Sequence, residues 1–219
     1  MDRLYSQFVR PGDLVFDIGA HVGDRIAALR RLGARVVAVE PQPALAFILK
    51  MLYGRDRNIM IERKAVGRNT GTMRMMINVD NPTISTASKA FVRAARDATG
   101  WEGQVWDKSI EVPVTTLDAL IATHGIPSFI KIDVEGFEDE VLAGLTHPVK
   151  ALSFEFTTIQ RDVARACVER CGLLKFSHFN AALGESQKLG EWRSAETMMH
   201  WLNVLPHAAN SGDIYARLS

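Results

Sequence analysis

Three short stretches of this 219-residue chain combine residue types that can do chemistry. The first, Asp17-Ile18-Gly19-Ala20-His21-Val22-Gly23, places a carboxylate before a glycine loop. The second, Glu40-Pro41, closes the β-branched run that starts at Arg35. The third, Lys131-Ile132-Asp133-Val134-Glu135-Gly136, sets charges of both signs into an apolar run. A glycine loop between a strand and a helix offers backbone amides to a ligand at the carboxyl edge of a parallel sheet. A dinucleotide fold asks for GxGxxG there. Aligned from Gly19, the second and third glycine positions hold His21 and Asp24, so the pattern is GxxxG and close approach of a pyrophosphate is not provided for.

Glu40 follows Gly19 by 21 positions and ends the next strand, where a carboxylate can accept from both hydroxyls of a ribose. The two features together ask for a nucleoside without a pyrophosphate. S-adenosyl-L-methionine, an adenosine joined through a sulfonium to a zwitterionic amino acid, meets that description. Asp17 can serve its ammonium or a water beside it, the loop amides and helix start its carboxylate, and His21 either lines the site or caps the helix entry.

In the third stretch, alternation puts Lys131, Asp133 and, if the strand continues, Glu135 on one side, with Asp133 at the carboxyl edge beside the first strand. Charges in a buried strand are costly unless paired. The pattern therefore predicts either a structural ion pair from Lys131 to Asp133 or Glu135, or a catalytic role. Asp133 is the first candidate to orient or deprotonate a methyl acceptor, followed by Glu135 and His21. The six histidines are scattered and no metal site is expected; Asp133 and Glu135 are the residues that could help hold a divalent ion.

The elements that must carry these residues read as an alternating βαβ pattern. Pro11-Gly12-Asp13 launches a strand at Leu14 to Ile18, followed by a helix at Asp24 to Leu32, a strand at Arg35 to Glu40 and a helix at Pro43 to Leu52. Asn58 to Val66 is expected as a third strand. Ser128 to Asp133 and Val149 to Phe156 are further strands, each followed by a helix, Phe137 to Leu145 and Thr158 to Cys171. Leu173 to Leu183 and Asp213 to Leu218 read as late strands flanking a helix at Ala195 to Leu205, which predicts an antiparallel edge. Gly71 to Val79 and Ser109 to Val114 read as strands around an irregular segment with a helix at Ala87 to Ala98. This mid-chain part, residues 78–109, is expected as an insertion that lids the acceptor site, with Trp101 and Trp106 either stacking on the acceptor or packing on the core.

Composition bounds the reading. With 47% hydrophobic and 23% charged residues the chain should fold as one domain over 1–219, and its formal net charge of +1 gives no global pull toward nucleic acid or an anionic membrane, although local basic patches are allowed. Cys167 and Cys171 fit two reduced thiols packed on one helix. The amino terminus lacks a signal-peptide pattern and no apolar run suits a membrane span, so a cytoplasmic location is expected.

The motifs Val15 to Gly23, Val37-Ala38-Val39-Glu40-Pro41, Ala65-Val66-Gly67, Thr116-Leu117-Asp118 and Ile130 to Glu138 resemble those of the FkbM-type methyltransferases. The resemblance implies a Rossmann-like class I α/β sandwich with a mostly parallel seven-stranded sheet, S-adenosylmethionine as donor, and O-methylation of a hydroxyl on a sugar or other small molecule. It maps Asp17, Gly19, Ala20, His21, Gly23, Glu40 and Pro41 to cofactor contacts, Ala65 to the adenine edge, and Asp133 with Glu135 to the active-site rim. Three competitors remain at this level: an NAD-dependent oxidoreductase, a nucleic-acid amine methyltransferase, disfavoured by the absence of a proline-aromatic clamp after Asp133, and a catalytically silent S-adenosylmethionine-binding module.

Overall fold

The computed structural model describes residues 1–96 and 98–219. Its frame is a seven-stranded sheet built from β1 (Leu14–Ile18), β2 (Arg35–Val39), β3 (Ile59–Glu62), β7 (Phe129–Ile132), β8 (Ala151–Thr157), β9 (His178–Leu183) and β10 (Ser211–Arg217) in the order β3-β2-β1-β7-β8-β10-β9. The first five strands of that order run parallel, and β10 is antiparallel to both of its neighbours. The order reverses at β1, so β1 and β7 lie side by side, the usual place for a ligand in an open α/β sheet.

Alternation along the strands separates two cores. Phe16, Ile18, Ile130, Ile132, Leu152 and Phe154 face α5 (Leu117–His124), α6 (Glu138–Ala143), α7 (Arg161–Leu173) and α8 (Ala195–Val204). Val15, Val36, Ala38, Phe129 and Tyr215 face α1 (Asp2–Tyr5), α2 (Asp24–Arg31) and α3 (Pro43–Tyr53). This is the three-layer sandwich expected of apolar parallel strands covered on both sides. Cys167 and Cys171 are free and buried on α7, and burial pushes both thiols up, which leaves them inert.

Several boundaries differ from expectation. Asn58 to Val66 is not one strand: β3 ends at Glu62, and the chain resumes as β4 (Ala65–Val66) in a separate three-stranded sheet ordered β4-β6-β5, with β5 (Gly71–Ile77) and β6 (Lys108–Thr115). Leu173 belongs to the end of α7, and a left-handed Lys175 at φ 72° turns the chain before β9 begins at His178. The insertion helix, α4, spans Lys89–Arg96; of the rest of the expected Ala87 to Ala98 helix, Asp97 lies outside the described residues and Ala98 is in a bend. Among the described residues no helix is long and apolar enough to cross a membrane.

Candidate active site

At the carboxyl edge of β1 the chain must turn sharply against β7. Gly19, at φ 82°, makes that turn, and a Cβ there would stand 1.8 Å from the Asp133 carbonyl oxygen, so only glycine lets the loop lie this close. The Asp133 amide donates to the Ile18 carbonyl at 2.9 Å and keeps the two strand ends in step. The loop then passes Ala20 and His21, itself left-handed at φ 48°, and enters α2 through Gly23.

Glu40 ties this loop to the end of β2. One carboxylate oxygen accepts from the His21 amide at 2.9 Å and the other from the Gln42 amide at 2.8 Å. Each oxygen keeps a lone pair for a further donor. The residue is 3% exposed, and burial pushes its pKa up to about 7 against the downward pull of the two amides.

A cavity of about 370 Å³ opens beside these residues. Gly19, Ala20, His21, Glu40, Pro41 and Ala65 line one part of it, and Asp133, Glu135 and Glu155 line another. Asp17 and Gly23 are not in its wall. Asp17 is fully buried on β1 in register with Lys131, has no hydrogen-bond partner among the described residues, and is pushed up to about 6 by burial, less the pull of Lys131 and Arg25. Gly23 packs where a Cβ would meet the Tyr53 ring at 2.5 Å, and Tyr53 donates its hydroxyl to the Gly23 carbonyl at 3.0 Å.

The acidic end is organised by Lys131. The Lys131 side chain, 2% exposed, is bonded through its ammonium to the Asp133 carboxylate, the ion pair that the alternation of charges allowed. Burial alone would raise Asp133, but Lys131 overrides it and holds the carboxylate below its ordinary range. Glu135 sits past the strand end at φ 56°, so it does not continue the alternation of β7. Its carboxyl and that of Glu155 are pushed well up, by burial first and then by neighbouring acids including Asp133. Oxygen atoms of Asp133, Glu135 and Glu155 lie within 4.8 Å of one another, close enough to hold one divalent ion or one donor-rich ligand. Glu138 braces the loop: one of its oxygens accepts from the amides of Val134 at 3.0 Å and Gly136 at 3.3 Å.

The insertion is fastened to this loop. Thr86 donates its hydroxyl to the Glu135 carbonyl at 2.6 Å. Gly136, at φ 82°, leaves room for Phe91, whose side chain a Cβ would meet at 2.8 Å. Trp101 and Trp106 both pack edge-on against Phe91, with ring centroids at 5.2 and 6.1 Å, and neither lines the cavity. Of the two outcomes open to these rings, packing is the one found. Thr83, Ser85 and Ala87 are the insertion residues that reach the cavity wall.

Sequence reasoning missed several residues of the cavity wall, Glu155 and Arg25 foremost. Glu155 was hidden inside the apolar β8 run, where Ser153 and Glu155 at alternate positions were the available signal. Arg25, on the first turn of α2, lines the cavity as a cation that the glycine motif does not mark.

The model of the family described as the methyltransferase FkbM domain matches residues 17–194. The chain belongs to the FkbM methyltransferase family. A relative, the 31-O-demethyl-FK506 methyltransferase FkbM of Streptomyces tacrolimicus, is 33% identical over 168 residues, which cover 66% of this chain and 65% of that protein. Among solved structures, the precorrin 8w decarboxylase of Methanobacterium thermoautotrophicum superposes with a TM-score of 0.50 at 11% identity, covering 99% of this chain and 89% of the other, a likeness of fold alone. The fibrillarin of Aeropyrum pernix, solved with natively bound S-adenosyl-L-methionine, has a TM-score of 0.49 at 10% identity over 95% of this chain and 68% of that one.

The cavity suits S-adenosylmethionine, the donor that the sequence motifs lead one to expect. The Gly19 turn leaves a side-chain-free cradle, Glu40 keeps a free lone pair on each oxygen, and the volume admits a nucleoside with an amino-acid tail.

Proposed function

We propose that this methyltransferase alkylates a hydroxyl oxygen of a small-molecule or sugar acceptor, at the end of the cavity bounded by Asp133, Glu135 and Glu155. The observation that carries the proposal is the close approach of these three carboxyl groups beside the Gly19 loop. S-adenosylmethionine, when bound, supplies an electrophilic methyl for in-line displacement. The chain's part is to hold donor and acceptor in near-attack geometry, worth up to ~7–11 kcal/mol, and to receive the hydroxyl proton, typically ~100–10,000-fold in rate.

In the donor half, Gly19, Ala20, His21, Glu40, Pro41 and Ala65 make the contacts, Glu40 with the ribose hydroxyls. Asp17 and Gly23 support the loop from behind. In the acceptor half, Asp133 is a poor base because Lys131 stabilises its ionised form; it accepts a hydrogen bond from the acceptor hydroxyl and orients it. Glu135 and Glu155, pushed up by burial and neighbouring acids, are the stronger bases once ionised, and the Lys131 ammonium pulls both toward the ionised form that can receive the proton. Residues 78–109 act as a lid over this half, with Thr83, Ser85 and Ala87 choosing the acceptor.

The test is methyl transfer from S-adenosylmethionine carrying a ¹³C methyl, with a cell extract as the acceptor source, followed by NMR of the product. A methyl-ether signal is expected. Signals confined to the N-methyl region, or no transfer in a preparation that binds the donor, would refute the proposal.

A further inference from the structure

Helix α3 is apolar on both faces. Leu45, Ala46 and Leu49 are buried against the sheet, yet Phe47, Ile48, Met51 and Leu52 are also exposed, with Phe47 at 62% and Met51 at 72%. At about 100° per residue these four side chains span an outward arc of roughly 140°. An exposed apolar stripe of this kind on a surface helix marks a contact with something else. The surrounding charge says what. Between Pro43 and Arg57 the cations are Lys50, Arg55 and Arg57, all exposed and without an ion-pair partner among the described residues. The single acid of that stretch, Asp56, is bound to Arg30 at 2.7 Å.

We propose that α3 is a membrane-surface docking helix, laying Phe47, Ile48, Met51 and Leu52 into the headgroup boundary of an anionic bilayer while Lys50, Arg55 and Arg57 meet its headgroups. An apolar helix face with a cation on the helix, Lys50, and two more just past its end, Arg55 and Arg57, is the chemistry of an interfacial anchor. A second copy of the chain fits less well. A helix about 16 Å long offers a footprint far below the ~800 Å² a side of a stable dimer. A contact through this stripe would also bring cations to both sides and a free carboxylate to neither. The helix begins immediately after Gln42, which lines the cavity, so docking would hold the active site close to the lipid surface. The +1 net charge of the whole chain does not oppose this, because the basic groups are concentrated locally.

Flotation of the full chain with vesicles of phosphatidylcholine and phosphatidylserine tests the proposal, with pure phosphatidylcholine vesicles as the second arm. Binding to the anionic vesicles is expected, weakened by salt and at least tenfold weaker on pure phosphatidylcholine. Phe47→Gln with Met51→Gln should lower anionic-vesicle partition at least tenfold, as should Lys50→Glu with Arg55→Glu. Both pairs of substitutions lie at exposed positions outside the cavity and should leave the melting temperature and cofactor affinity as in the parent. Failure of the parent protein to float with anionic vesicles overturns the proposal. So does a dimer, seen by light scattering, that Phe47→Gln with Met51→Gln dissolves.

Discussion

Lys131 reaches along its own strand to the Asp133 carboxylate two residues away, and the pair stands at the boundary between the buried sheet and the open cavity: Lys131 is 1% exposed, whereas the Asp133 side chain keeps 26%. Asp17 and Asp213 also feel the Lys131 charge. The ammonium and the Arg25 guanidinium thus pull on three carboxyl groups on one face of the sheet, of which Asp133 is held below its ordinary range while burial keeps Asp17 and Asp213 raised.

Lys131→Met should on this basis destabilise the protein by about 3–5 kcal/mol at neutral pH, the usual cost of stranding one side of a buried pair. The loss should shrink as pH falls. Without the ammonium, the native acids hold protons that the unfolded chain has released, so stability rises toward acid. Urea unfolding at two pH values checks this. A parent-like midpoint at neutral pH would mean that the acids do not depend on Lys131.

In its proposed role at the ribose, Glu40 should make cofactor binding depend on pH. Its native pKa of about 7 stands above the ordinary 4.5, chiefly through burial. Hydroxyl donors favour the carboxylate form, so S-adenosylmethionine should bind more tightly as pH rises from 6 to 8, releasing up to one proton. In the ligand-free protein the sign on stability is opposite. Between pH 4.5 and about 7 the native state keeps the proton that the unfolded state has lost, so the Glu40 contribution falls as pH rises through that window. Glu40→Gln should abolish the Glu40 share of both effects, which calorimetry in buffers of differing ionisation enthalpy will show. Unchanged proton release in the folded variant would remove Glu40 from the linkage.

The sequence carried the site's frame further than its surroundings. β1 falls on Leu14–Ile18 as expected, and the Gly19 loop and Glu40 meet where the βαβ pattern places them, because buried parallel strands and obligatory turns leave local marks. Glu155 left only the weak mark of a polar residue alternating with Ser153 in an apolar run. It is brought to Asp133 by the parallel pairing of β7 with β8, a tertiary relation without fixed sequence spacing. The split of the expected third strand into β3 and β4 was equally hidden. Val66 is as β-prone as Ile59 and Ile61, and it is pairing with β6 that puts Ala65 and Val66 in the second sheet. The tryptophans of the insertion could not be assigned from sequence, since aromatic rings suit a binding face and a small core alike.

The Phe91 cluster offers a test of the proposed lid. Phe91 is fully buried beneath Trp101 and Trp106 and against Gly136, so Phe91→Ala removes the centre of the insertion's own core and should cost about 3–5 kcal/mol locally. Hydrogen exchange across residues 78–109 should accelerate while the central strands stay protected, and acceptor turnover should fall with donor affinity nearly intact. In the parent protein the same segment should gain protection when demethylated cofactor and acceptor are both bound. Protection in the ligand-free state equal to that of β1 and β7 would make the insertion a rigid part of the core.

The proposed division of one cavity into a donor half at Glu40 and an acceptor half at Asp133 is tested most directly by the single-turnover rate of methyl transfer as a function of S-adenosylmethionine concentration. Glu40→Ala should raise the half-saturating concentration tenfold or more, at ~1.5–3 kcal/mol for each charge-assisted hydrogen bond lost, with a smaller effect on the plateau. Asp133→Asn should leave half-saturation near the parent value and lower the plateau rate. The reverse pattern, or a parent-like plateau for Asp133→Asn at saturating acceptor, would contradict the account.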